Sequence, residues 1–236
     1  MRTLLLLPGL ACDGELFHSQ QVALAGQGRV HVSDVHQREA TLPAMAARLL
    51  QEHAGPLLLV GTSMGGMLAL ELWRQASDRV QGIALLGSTA RADTPELITL
   101  RTQACTLFAA GRMNEVLRAN VLFAFHPNNG RDKALVRRYL AMLRRAGAEQ
   151  LITQNRAVMA RADSRPLLPQ LTCPLLVACG EADMLTPPEH AREIAALAPQ
   201  ARLEIVPGAG HMLTLEQPER VTTLLLHWLD GISPRA

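Results

Sequence analysis

The sequence of 236 residues predicts an α/β chain: a mostly parallel sheet of about six strands, with a helical cap inserted after the fourth strand. Three observations predict it. Short apolar runs alternate with amphipathic stretches through the first half, the order that strand–helix–strand crossovers produce. The alternation stops between residues 91 and 168, where only helical periodicity is found. It then resumes. The expected division is a core of 1–90 and 169–236 with a cap of 91–168.

The elements follow in order. "TLLLL" (Thr3 to Leu7) is a short apolar run closed by Pro8-Gly9, and "RVHVSDV" is strand-like. "LPAMAARLLQEH" has helical spacing, with Thr41 placed to cap it and Pro43 near its start. "PLLLVG" is apolar throughout, as a parallel strand covered on both faces should be. "MGGMLALELWRQAS" reads as helix and "VQGIALLGS" as strand. The middle of the chain holds four helical stretches: "PELITLRTQACTLFAAG", "MNEVLRANVLFAF", "DKALVRRYLAMLRRAG" and "AEQLITQNRAVMARA". "HPNNG" between the second and third is a turn. "CPLLVACG", "PPEHAREIAAL", "ARLEIVPG" and a helix from Pro218 to Leu229 complete the pattern.

Bulk properties exclude several classes. Hydrophobic content of 48% against 19% charged residues describes a globular chain. No apolar run approaches the ~18–20 residues of a membrane helix. The opening "MRTLLLLPGLACDGELF" has the look of an export signal, but four leucines before Pro8 fall short of the roughly 7 to 15 residues of a signal core. The run is therefore expected to be the first strand, in a cytoplasmic protein. Cys12, Cys105, Cys173 and Cys179 match no zinc spacing, and Cys173 and Cys179 stand roughly 20 Å apart along one strand, so free thiols are expected. The net charge is +2, but residues 91–170 hold 13 Lys and Arg against 6 Asp and Glu, a balance of +7. The remainder holds 10 against 15, a balance of −5. No nucleic-acid partner is expected from so modest an overall charge.

The chemistry is concentrated in "LLLVGTSMGGMLALEL". It contains G-x-S-x-G as Gly61-Thr62-Ser63-Met64-Gly65, with a strand before and a helix after. A serine hydroxyl is a weak nucleophile unless a base takes its proton, so position matters more than identity. A sharp strand-to-helix turn exposes the hydroxyl at the tip, and flanking glycines let the two elements approach. Such a serine needs an acid and a histidine, in that chain order. "VACGEADMLTPPEH" puts Asp183 in the loop after one strand, and "IVPGAGHMLTLEQPERV" puts His211 in the loop after the next. All three then lie at the C-terminal ends of parallel strands, where open α/β sheets bind ligands.

With these residues in place the chain resembles the serine esterases of the α/β-hydrolase fold. "GTSMGG", "GEADMLTPPEH" and "GAGHMLTLEQPE" match that superfamily's recurring segments over nearly the whole chain. It is similar to small carboxylesterases of the acyl-carrier-protein methyl ester esterase and enol-lactonase type. The resemblance implies Ser63 as nucleophile, His211 as general base and acid, and Asp183 as its orienting partner. It also implies an oxyanion hole of two backbone N–H groups, from Met64 and from the loop after the first strand, where Leu10 or its neighbour Ala11 donates. That loop begins Pro8-Gly9, where the family often has His-Gly, and the family's first antiparallel hairpin is expected to be missing.

No cofactor and no metal is expected. Related triads on the same fold serve C–C hydrolysis, lyase or perhydrolase chemistry, and a receptor retaining a slow triad is a further alternative. Cys12, Phe123, Met184 and Met212 are candidates for the substrate pocket. Asp93 is the alternative acid, more readily a surface or helix-start residue. The other histidines, at 18, 31, 36, 53, 126, 190 and 227, carry no motif. In "RRYLAMLRR", Arg138 and Arg145 are seven apart and share a face, with Arg137 and Arg144 beside them. The resemblance implies that such arginines dock an acidic acyl carrier protein; a solvated helical face is the plainer reading.

Overall fold

The structure, a computed structural model, describes residues 2–232, so the expected core's ends at Met1 and 233–236 lie outside it. Six parallel strands form one sheet: β1 (Thr3–Leu7), β2 (Arg29–Val32), β3 (Leu57–Thr62), β4 (Val80–Leu86), β5 (Leu175–Gly180) and β6 (Ala201–Val206). Their spatial order is β2-β1-β3-β4-β5-β6, all in parallel register. The chain moves outward from β1 to β2, then returns to the other side of β1 with β3. This reversal is the topological switch point, and the loops leaving β1 and β3 flank it.

The alternation of strand side chains divides the core in two. Leu4, Leu6, Leu58, Val60, Ala84, Leu86, Leu176 and Ala178 face one layer. Leu5, Leu7, Leu57, Leu59, Ile83, Leu85, Leu175 and Val177 face the other. The second layer is covered by α2 (Leu42–Glu52), α3 (Met64–Gln75) and α7 (Pro188–Leu197). In α2, Leu42, Met45, Ala46 and Leu49 bury one stripe, and the Thr41 hydroxyl accepts from Ala44 N–H at 3.2 Å. The first layer is covered by α1 (His18–Leu24) and α9 (Pro218–Asp230), whose Val221, Leu224, Leu225, Trp228 and Leu229 follow the same spacing. The edge strands β2 and β6 are half-exposed and carry Arg29, His31, Arg202 and Glu204, which blunts both edges against further pairing.

Between β4 and β5 lie α4 (Pro95–Ala109), α5 (Met113–Ala124) and α6 (Lys133–Met159). α6 is two helices end to end, broken at Gly147, where φ is 78° and ψ is 170°. The break falls where the sequence separates its third and fourth helical stretches. Phe108, Leu117, Ala124, Tyr139, Leu143 and Leu151 from this segment join the first core layer, which is continuous with the sheet. Asp93 precedes the cap of α4, as a helix-start residue would, but its side chain is 1% exposed and so is not on the surface. Its carboxylate lies 2.8 Å from both Arg101 on α4 and Arg161 beyond α6, so ion pairs tie the segment's two ends together. Among the described residues no helix is long and apolar enough to cross a membrane.

Candidate active site

β3 is buried along its whole length and ends at Thr62. Ser63 turns the chain at φ 54° and ψ −116°, and α3 starts at the next residue. This is left-handed backbone that a side chain rarely adopts, and the surroundings enforce it. Ser63 N–H donates to Leu86 O at 3.0 Å, and Ser88 Oγ donates to Ser63 O at 2.8 Å. The flanking glycines allow the turn: a Cβ on Gly61 would lie 2.2 Å from Gly65 O, and one on Gly65 would lie 1.9 Å from Leu7 O.

The loops after β5 and β6 bring the partners in. Ser63 Oγ and His211 Nε2 are 2.9 Å apart. His211 Nδ1 lies 2.8 and 3.0 Å from the two Asp183 oxygens. Both His211 and Asp183 are 3% exposed, so this chain of bonds runs largely out of water. Asp183 is further held by Leu185 N–H and Thr186 N–H on Oδ1 and by the Thr186 hydroxyl on Oδ2, each at 2.9 Å. Thr186 carries no role in the sequence reading, although an Asp with a Thr three residues on is a legible turn signal.

The His211 loop is sewn to the end of α5. Met212 N–H donates to Ala124 O at 3.0 Å. Glu216, in the short helix α8 (Leu213–Glu216), accepts from Gly210 N–H through Oε1, and from His126 N–H and Asn129 Nδ2 through Oε2, each at 2.8 Å. Burial pushes the Glu216 carboxyl upward, partly offset by those donors. The backbones are too close for a side chain at Gly210, whose Cβ would lie 2.5 Å from His126 N.

The loop after β1 lies against the serine, since a Cβ on Gly9 would be 3.3 Å from Ser63 Cβ. Ala11 has a φ of 57°, and its N–H already donates to Gln154 Oε1 at 2.6 Å. Of the two candidate donors in this loop, Leu10 is thus the one whose N–H is not engaged by Gln154. Met64, the other candidate, is the first residue of α3, where helix N–H groups lack an intrahelical acceptor.

The four pocket candidates separate. Cys12 is buried in the loop after β1, and burial with the nearby Asp13 charge pushes its thiol up to about 12, so it stays neutral. It lines a cavity of about 100 Å³ with Ala11, Asp13, Gln37, Met142, Arg145 and Ala146. Phe123, Met184 and Met212 do not line that cavity. Met212 is buried in the first core layer, whereas Phe123 and Met184 are exposed. The arginines of α6 also separate. Arg145 pairs with Asp13 at 2.7 Å and Arg138 pairs with Glu15, both beside the loop after β1. Arg144 Nε donates to Asn114, while Arg137 is exposed.

Comparison with known proteins shows the family of the chain. A model of the alpha/beta hydrolase family matches residues 4–224. A pimeloyl-[acyl-carrier protein] methyl ester esterase of Edwardsiella ictaluri is 28% identical, covering 98% of this chain and 95% of its own length. A thermophilic esterase from Thermogutta terrifontis superposes with a TM-score of 0.88 at 28% identity, over 98% of this chain and 90% of that one. An enol-lactonase from Burkholderia xenovorans shares the fold, with a TM-score of 0.86 at 22% identity, over 98% and 92% of the two chains.

Proposed function

The chain belongs to the alpha/beta hydrolase family and is a carboxylic ester hydrolase, and on that premise we propose that it works through an acyl-enzyme on Ser63. The observation that carries the proposal is the unbroken line Ser63 Oγ–His211 Nε2–Asp183, at 2.9 and 2.8 Å. Ser63 Oγ attacks the ester carbonyl carbon while His211 Nε2 takes its proton. Asp183 holds Nδ1–H and stabilises the imidazolium that forms. The carbonyl oxygen gains negative charge facing the N–H groups of Leu10 and Met64, the latter at the positive end of α3. Collapse breaks the bond to the alcohol oxygen, which receives the proton from His211. Water, deprotonated by the same nitrogen, then attacks the acyl-enzyme and frees the acid and Ser63.

The helical segment 91–168 acts as a cap over this site, carrying the binding face. The physiological ester is one held by an acidic acyl carrier, the substrate class in the name of the Edwardsiella relative. The +7 balance of residues 91–170 and the exposed Arg137 support that partner. Labelling with a fluorophosphonate followed by intact mass and peptide mapping tests the chemistry. One adduct on Ser63 is expected, together with loss of turnover in a folded Ser63→Ala. Undiminished turnover by that variant sinks the assignment.

A further inference from the structure

Among the described residues only Ala11 and Ser63 have positive φ without being glycine, and they occupy the neighbouring loops at the switch point. Ser63 is held by the strand and helix it joins and by the end of the adjacent β4. Ala11 is held from a distance. Its N–H donates to Gln154, 143 residues away on α6. The carbonyl of the next residue, Cys12 O, receives a hydrogen bond from His36 at 2.8 Å, which puts the proton on Nε2. The two holders also hold each other, since Gln154 Nε2 donates to His36 O at 3.0 Å. Gln154 is 0% exposed and His36 2%, so water does not compete for these bonds. Leu10 lies between Gly9, packed on Ser63, and Ala11, the fixed point.

We propose that Gln154 and His36 form a buried clamp that positions the oxyanion loop, aiming the Leu10 N–H at the oxygen that gains charge. The proposal rests on the reading of Ser63 as nucleophile and Leu10 as donor. Neither clamp residue touches reacting atoms; both are positioning residues. One consequence is that the second half of α6, beyond the break at Gly147, supplies catalytic geometry as well as cover. A donor displaced by a fraction of its bond length loses the charge that accumulates only in the transition state, so the defect falls on kcat.

The test compares wild type, Gln154→Met and Gln154→Glu on a short nitrophenyl ester, with a boronic acid as tetrahedral analogue and fluorophosphonate labelling of wild type. Met fills the space and removes all three hydrogen bonds of the Gln154 amide, to Ala11, His36 and Gln150. Its kcat should fall roughly 10- to 100-fold with KM within about twofold, and boronate affinity should fall in step with kcat/KM. Glu keeps an acceptor for Ala11 N–H but loses the donor to His36 O and Gln150 Oε1, so its kcat should fall, but by less than that of Gln154→Met. A folded Gln154→Met with a lower Tm but unchanged kcat overturns the clamp and leaves a structural glutamine. If that variant does not fold, a folded His36→Phe, which leaves Cys12 O without its donor, overturns it equally if its kcat stays within about twofold of wild type. Wild type that takes no adduct on Ser63 overturns the underlying reading, whatever the variants do.

Discussion

Asp183 shows how a single residue is tuned by its neighbours. Burial, the largest influence, pushes its carboxyl upward. The charge and hydrogen bond of His211, with the donors of Thr186, outweigh burial and hold it below the ordinary carboxylate value. A depressed folded value means that the ionised form favours folding. That contribution is complete above the unfolded value of about 3.9 and is lost as pH falls through the folded value. Asp183→Asn removes it, so the Tm gap to wild type should be widest near neutral pH and close below pH ~4. Near neutral pH the variant should also lose roughly 10³- to 10⁴-fold in kcat, because an amide does not hold the imidazole in the tautomer that accepts the Ser63 proton. Melting curves across that pH range and a steady-state assay check both parts. A gap that ignores pH refutes the first, and near-wild-type turnover the second. Ser63, Asp183 and His211 are legible in the sequence because each stands at a strand end inside a local pattern. Gln154 and His36 are not legible. They meet the loop after β1 only through tertiary contact, across 143 and 24 residues, with no local pattern to mark them.

At the scale of elements, the strands were readable because the inner ones are apolar on both faces, and the break in α6 because a glycine interrupts the helical run. The seam between α5 and the His211 loop was not readable, since it depends on one carboxylate reaching three donors. Glu216→Ala leaves the N–H groups of Gly210 and His126 without their acceptor and takes from the Asn129 amide one of its two, the other being Gly208 O. Partly buried unpaired donors of this kind put the expected loss at about 2–4 kcal/mol, read from urea unfolding. Because Gly210 adjoins His211, kcat should fall further than KM changes. A loss under about 0.5 kcal/mol would mean that the carboxylate is replaced by water at no cost, and the seam would not be what holds the loop. The burial of the Asp93 side chain belongs to the same level: its position after β4 was clear, but its two arginines come from α4 and from beyond α6.

The whole molecule is a basic helical segment on an acidic body, and the structure changes what that asymmetry is for. Seven-residue spacing correctly puts Arg138 and Arg145 on one face, yet that face meets Glu15 and Asp13 of the same chain. Replacing these two arginines therefore disturbs the loop after β1, and free short esters should suffer along with carrier-bound ones. Among the described residues Arg137 pairs with no acid, and it is exposed. If the acidic carrier docks on this surface, Arg137→Glu should lower kcat/KM for a carrier-linked ester by roughly 3- to 10-fold and leave a free nitrophenyl ester unchanged. The carrier-linked rate should also fall with added salt, because exposed charges are screened over about 10 Å at 0.1 M, whereas the free ester should respond little. Parallel salt titrations on the two substrates decide the matter. Equal slopes, or an Arg137→Glu effect of the same size on both, would leave the basic face as a solvated surface with its charge spent on the chain's own acids.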